Sequence, residues 1–369
     1  MLKYNNITPT KIYYRNVLVK AVKGCDGSNV WEYDEHDYSG DYLTTVALDS
    51  GAIRFINISD NAINLLQYSK NGGSWTPMSL PSVAVDVVNG DRVRWRGYGR
   101  TSTTYPWGMG TFSGTSAPFS VEGNAMSIVS GDSFSSATTM NNYQFERLFD
   151  NCQTLVSAEH LVLPSTTLTT GCYSAMFQGC TSMTKAPELP ATTLAHSCYN
   201  QMFQRCYALT AAPELPATTM QPACYSHMFD GCSGLTAAPE LPATVLAQEC
   251  YAYMFLGCRS LTKAPTTIGT SSTTMPVSAC CSMFNDCISL ETAPLLPIEN
   301  LANYCYYEMF QHCTSLISIT CLATSNTANM CTYHWVDGIN TEGTFTKAPM
   351  TIWQTGTSGI PNGWTVLSN

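Results

Sequence analysis

The side chains best suited to chemistry in this 369-residue chain are its 17 cysteines, and their spacing decides what they can do. They fall at two fixed positions around a recurring Met-Phe dipeptide. Cys172, Cys198, Cys224, Cys250, Cys305 and Cys331 precede it, and Cys152, Cys180, Cys206, Cys232, Cys258, Cys287 and Cys313 follow it. Pairs at that separation lack the close two-residue spacing of zinc ligands, so no metal is expected. Disulfides between equivalent positions would have to meet a narrow geometry again and again. Free cysteine is among the most buried residue types, so the spacing predicts two inward structural ladders of small apolar side chains.

Other candidates are fewer. Glu188, Glu214 and Glu240 hold one position in three successive units, which would set them roughly 5 Å apart in a stack. They could form a cation site or a recognition stripe, or stand as solvated carboxylates screened by salt. Gly131-Asp132-Ser133 is similar to the nucleophile block of one lipase class, but the later Asp-x-x-His pair that such enzymes need is missing. His196, His227, His312 and His334 occupy variable positions without a paired carboxylate and nucleophile, so neither catalysis nor a cofactor is expected. Arg92, Arg94 and Arg96 alternate with Val93 and Trp95 and therefore share one strand face. They could meet an anionic partner or a neighbouring subunit, or simply face water.

Composition narrows the partners. The formal charge is −9 and only 12% of residues are charged, which disfavours nucleic acid. A surface of Thr, Ser, Asn and Gln with 20 Tyr and 7 Trp suits contacts with glycans or proteins. The opening Met1-Leu2-Lys3-Tyr4-Asn5-Asn6-Ile7 shows no charged leader followed by an apolar run, so no export signal is expected. No stretch reaches the 18 or so continuous apolar residues of a membrane helix, so no membrane insertion is expected.

The elements that must position these residues come from self-similarity. Met-Phe occurs at 176, 202, 228, 254, 283 and 309, with separations of 26, 26, 26, 29 and 26 residues. Leu148-Phe149 and Trp335-Val336 are degenerate copies at either end, which makes about eight units of ~26 residues. Within one unit Leu194, Cys198, Met202 and Cys206 recur at every fourth place, with Ala195, Tyr199 and Phe203 beside them. That pattern predicts the apolar face of a short helix. Leu209, Ala212 and Leu215 predict a short strand stopped by Pro216, since proline cannot donate to a ladder. One such unit buries too little apolar surface to offset the entropy of ordering it, so neighbours must stack. The expected fold is an α/β repeat solenoid over 136–345 with a cap over 346–369. Upstream, short alternating segments with turns at Lys70-Asn71-Gly72-Gly73 and Asn89-Gly90-Asp91 predict a small all-β sandwich over 41–135. Residues 1–40 read as an attachment segment.

Positions that vary between units carry any specificity, because the repeated ones build the coil. Lys185, Lys263, His227, Tyr253 and Tyr307 at such positions, together with the repeated Glu188, Glu214 and Glu240, are the candidate ligand-facing residues.

The units resemble BspA-like leucine-rich repeats, common in gut Bacteroidetes and in their phages. The resemblance rests on the string Met-Phe-x-Gly-Cys-x-x-Leu-Thr-x-Ala-Pro-Glu-Leu-Pro-Ala-Thr-Thr, which is nearly complete at 176–193 and 228–244 and covers about 145–345. Gly359-Ile360-Pro361-Asn362-Gly363-Trp364 is similar to the closing motif of such arrays, and Thr10–Tyr14 with Val30-Trp31-Glu32 is similar to short modules of phage tail and fibre proteins. The resemblance implies adhesion at a virion surface, with other virion proteins bound through the amino-terminal region and a host-surface glycan or protein through the repeats. A trimer follows by family habit. A virion decoration protein and a bacterial surface adhesin are the alternatives.

Overall fold

The computed structural model describes residues 36–57, 66–78, 81–98, 110–269 and 275–369, together with the backbones of two short strands. Those strands, β1 (Tyr13–Tyr14) and β2 (Val17–Leu18), pair antiparallel. The rest of the expected attachment segment up to residue 35 lies outside the described residues. The fold is sheet-rich, and its only α-helix among the described residues is the four-residue α1 (Ser127–Ser130).

Seven strands build the amino-terminal region: β3 (Thr44–Ala47), β4 (Gly51–Ile56), β5 (Gln67–Lys70), β6 (Thr76–Pro77), β7 (Ser82–Val87), β8 (Arg92–Arg96) and β9 (Phe119–Asn124). Strands β4 and β7 form one antiparallel pair, and the rest join a second sheet in the order β9-β3-β8-β5-β6. Side-chain alternation explains the packing. Val93 and Trp95 of β8 are fully buried, as are Ile53 and Phe55 of β4. The rings of Phe55, Trp95 and Phe112 meet at 5.0–6.2 Å between the two sheets. Asn71 and Gly72 both have positive φ and close the β5–β6 hairpin as expected. Asn89-Gly90 does something else: it carries the chain from β7 in one sheet to β8 in the other. In β9, Gly123 has φ +81, and a Cβ there would lie 2.1 Å from the Tyr42 carbonyl oxygen, so glycine is required.

Strand β10 (Leu155–Val162) lies beyond the expected boundary at 135/136, and it pairs in parallel with β9 and extends the amino-terminal sheet. Phe112 stacks on Phe149 at 5.0 Å.

The predicted helices are absent, so the α/β expectation is corrected. Each Met-Phe segment is a run of consecutive turns with a left-handed residue at every fourth place, for example Ser197, Gln201 and Arg205 at φ 52°, 58° and 61°. Alternate N–H groups have different destinations. Cys198, Asn200, Met202, Gln204 and Cys206 donate three residues back within the segment, at 3.1–3.3 Å. Ser197, Tyr199, Gln201, Phe203 and Arg205 donate to the next unit, at 2.7–3.0 Å. An α-helix would spend every N–H internally and leave none to join neighbours. The period also discriminates: at 3.6 residues per turn, four-residue steps drift by ~40° each. The turn ribbon keeps Leu194, Cys198, Met202 and Cys206 in line, and all four are buried.

On the other wall, continuous strands form only where the full Ala-Pro-Glu-Leu-Pro string is absent. Strand β12 (Ser318–Cys321) and β13 (Thr344–Lys347) pair residue for residue in a parallel sheet of order β11-β12-β13-β14, completed by β11 (Thr292–Leu296) and β14 (Thr365–Ser368). Units with Ala-Pro-Glu-Leu-Pro make only isolated bridges such as Ala237 with Lys263.

Rings run the length of these units. Phe149, Phe177, Phe203, Phe229, Phe255, Phe284 and Phe310 stack at 5.3–5.7 Å, and Trp335 and Trp353 close the end. A second column joins Phe145, Tyr173, Tyr199, Tyr225 and Tyr251 at 5.7–6.1 Å.

Candidate recognition face

The two cysteine sets occupy the interior beside these rings. All 16 cysteines among the described residues are free and buried. In the set after Met-Phe, each thiol donates to the phenylalanine carbonyl of the preceding unit: Cys180 to Phe149, Cys206 to Phe177, Cys232 to Phe203, Cys258 to Phe229, Cys287 to Phe255 and Cys313 to Phe284, at 3.0–3.1 Å. Cys152 does the same to Phe112 at 3.3 Å. The carbonyl's other lone pair takes the N–H of its own unit's cysteine, as Phe203 does from Cys206. Burial pushes the thiols up, Cys152 to about 11 and Cys172 and Cys250 to about 12. Protonated, buried thiols are poor nucleophiles and poor metal ligands. No cluster of three His, Cys, Asp or Glu among the described residues could hold a metal ion.

The candidate ligand-facing residues separate onto two stretches of the unit. Lys185 and Lys263 lie in the bridge-forming wall, where Lys185 pairs with Glu159. Glu240, in the same wall, accepts both the N–H and the hydroxyl of Thr266 in the next unit, at 2.9 and 3.0 Å. It ties units together rather than standing free. Glu188 and Glu214 occupy equivalent positions.

His227, Tyr253 and Tyr307 stand on the turn ribbon. His227 stacks on Tyr253 at 4.5 Å and 9°, and its Nδ1 lies 3.0 Å from Asp230. Tyr307 stacks on Tyr333 at 5.4 Å, and Tyr333 on His334 at 4.1 Å. Between the two groups the Cys281 thiol donates to the Tyr253 hydroxyl at 3.5 Å. That hydrogen bond, then burial, pushes the Tyr253 phenol above its ordinary range. A row of amides flanks the aromatics: Gln178 donates to Gln204, Gln204 to Asp230 at 2.6 Å, and Asn285 to Gln311 at 3.0 Å. The ribbon thus presents aromatic edges and neutral hydrogen-bonding groups along one line, with Tyr333 37% exposed.

Tyr333 and Cys281 were missing from the sequence candidates. Both occupy the second place before the Met-Phe position, so aligning the degenerate Trp335-Val336 copy in full would have revealed Tyr333. The same alignment places Cys280 where other units carry the column tyrosine, and there the tyrosine column is interrupted between Tyr251 and Tyr306.

Asp132 of the lipase-like triplet is engaged in structure: it accepts from Tyr42 at 2.7 Å and pairs with Arg96 at 2.8 Å. No helix among the described residues is long and apolar enough to cross a membrane. No protein-family model matches the chain, and no curated protein matches it either.

Proposed function

We propose that the chain is a phage virion adhesion protein, of tail-fibre or receptor-binding type, whose BspA-like repeat solenoid recognises a host-surface glycan or protein. The observation that carries this reading is the line of His227, Tyr253, Tyr307, Tyr333 and His334 beside an amide ladder. Aromatic bodies with polar tips give contact area at low entropic cost and suit sugars and protein loops alike. Affinity comes from many weak contacts, multiplied by copies on the particle. No covalent step, cofactor or metal is part of the mechanism. The amino-terminal region holds the protein to other virion proteins at the virion surface.

The test is binding of the full chain to intact gut Bacteroidetes cells across a strain panel. Saturable binding that falls at least about tenfold in a Tyr253→Ala, Tyr307→Ala double variant supports the reading. Absent binding on every strain, or binding indifferent to the double variant, overturns it.

A structural decoration protein is the second reading. Met350 and Ile352 are 99% and 92% exposed, and Val366 and Leu367 of the edge strand β14 are also exposed, which suits a contact with a neighbouring virion protein.

A further inference from the structure

We propose that the outer face of β3, β8 and β5 carries a site for a carboxylate-bearing sugar, anchored by Arg94. Three cations lie on this face. Arg92 pairs with Glu122, and Arg96 with Asp132 at 2.8 Å. Among the described residues Arg94 meets no carboxylate. One of its terminal nitrogens donates to the Ser69 hydroxyl at 3.2 Å, while its Nε is buried without a partner. The guanidinium lies 5.5 Å from the Trp75 ring and 5.9 Å from the Tyr42 ring.

Arg94 lines an open cleft of about 340 Å³ with Arg92, Asp41, Tyr42, Thr44 and Asn71. That is the low end of small-ligand sites, roughly 300–1,000 Å³. A guanidinium with unused donors matches a carboxylate through two parallel hydrogen bonds. Asp41 in the lining and Glu122 beside Arg92 keep the local charge near neutral, so a singly charged carboxylate fits better than a doubly charged phosphate. Asp41 can accept from sugar hydroxyls, and Tyr42, edge-on to Trp75 at 5.0 Å, supplies a wall for a pyranose ring. A hexuronic acid uses all three features, whereas an acidic peptide side chain uses only the first. The site is independent of the turn ribbon.

The experiment is calorimetric titration of the full chain with glucuronic acid, glucose and N-acetylglutamate. Glucuronate is expected to bind at least about tenfold more tightly than either other compound, since glucose lacks the carboxylate and N-acetylglutamate lacks the hydroxyls and the ring. Arg94→Gln should weaken glucuronate at least about tenfold and Arg94→Lys by less, because lysine keeps the charge and loses the fork. Arg259→Gln, an exposed arginine in the repeats, should change nothing, and the melting temperature of each variant checks its fold. Glucuronate binding unchanged in a folded Arg94→Gln variant, parity with glucose or N-acetylglutamate, or no saturable binding up to on the order of 10 mM each overturns the proposal.

Discussion

The amino-terminal sheets and the stacked units satisfy the same demands by opposite means. In the sheets, every buried contact is particular: Phe55 meets Trp95 and Phe112, Arg92 meets Glu122, and Gly123 admits the Tyr42 backbone. In the units, a residue meets its own equivalent one unit along, phenylalanine on phenylalanine and cysteine on a phenylalanine carbonyl. The first arrangement is fragile in sequence and self-contained. The second reuses one solution, but its N–H groups and ring faces depend on a neighbour at each end. Phe112 and β9 serve as that neighbour at the start, and Trp335 and Trp353 close the other end. The sheets therefore cap the first unit of the stack.

Alkaline pH should separate the two regions most sharply. The described residues before Cys152 contain no cysteine, whereas the stack buries 16. Burial raises each thiol above its unfolded value, so its contribution is complete below pH ~8.5 and is lost as pH climbs toward the folded values, about 11 for Cys152 and about 12 for Cys172. Each thiol costs about 1.4 kcal/mol per pH unit in that window. A handful suffices to exceed an ordinary domain's ~5–15 kcal/mol. Hydrogen exchange at pH 9.5 against pH 7.5 should show protection lost in 145–340 before it is lost in 43–96. Simultaneous loss would mean the stack has no weakness of its own.

Single cavities come next. Phe229→Ala and Phe55→Ala should each cost about 3–5 kcal/mol, judged by denaturant midpoint. Exchange should rise mainly in the adjoining units for Phe229 and throughout the sheets for Phe55, because repeat stability is a sum of near-neighbour terms. Deleting residues 200–225, one whole register step, should do less harm than either, leaving a folded chain with a modestly lower melting temperature. The smallest effect is a gain. The hydroxyls of Tyr173, Tyr199, Tyr225 and Tyr306 are buried without partners, so Tyr199→Phe should raise stability by about 1 kcal/mol on thermal melting.

Much of this was legible beforehand. Met-Phe spacing located the units, the fixed cysteine places marked interior positions, and Asn71-Gly72 marked its hairpin. The helix reading failed because spacing of every fourth residue fits a helix face over short lengths, and periodicity cannot say where an N–H group donates. The candidate face was legible in part: His227, Tyr253 and Tyr307 stood out as variable, while Lys185, equally variable, and Glu240, one of three repeated glutamates, prove to be tied to other residues.

The sequence by itself determined the unit length, the residues that repeat inside and the low content of charge, since each is a property of spacing and composition. Only the tertiary structure decided that the ribbon is made of turns, that Phe112 begins the ring column, and that Arg94 is left without an acid among the described residues. Each of these depends on which backbone or side chain lies alongside in space, and that neighbour is 25 or more residues away in the chain.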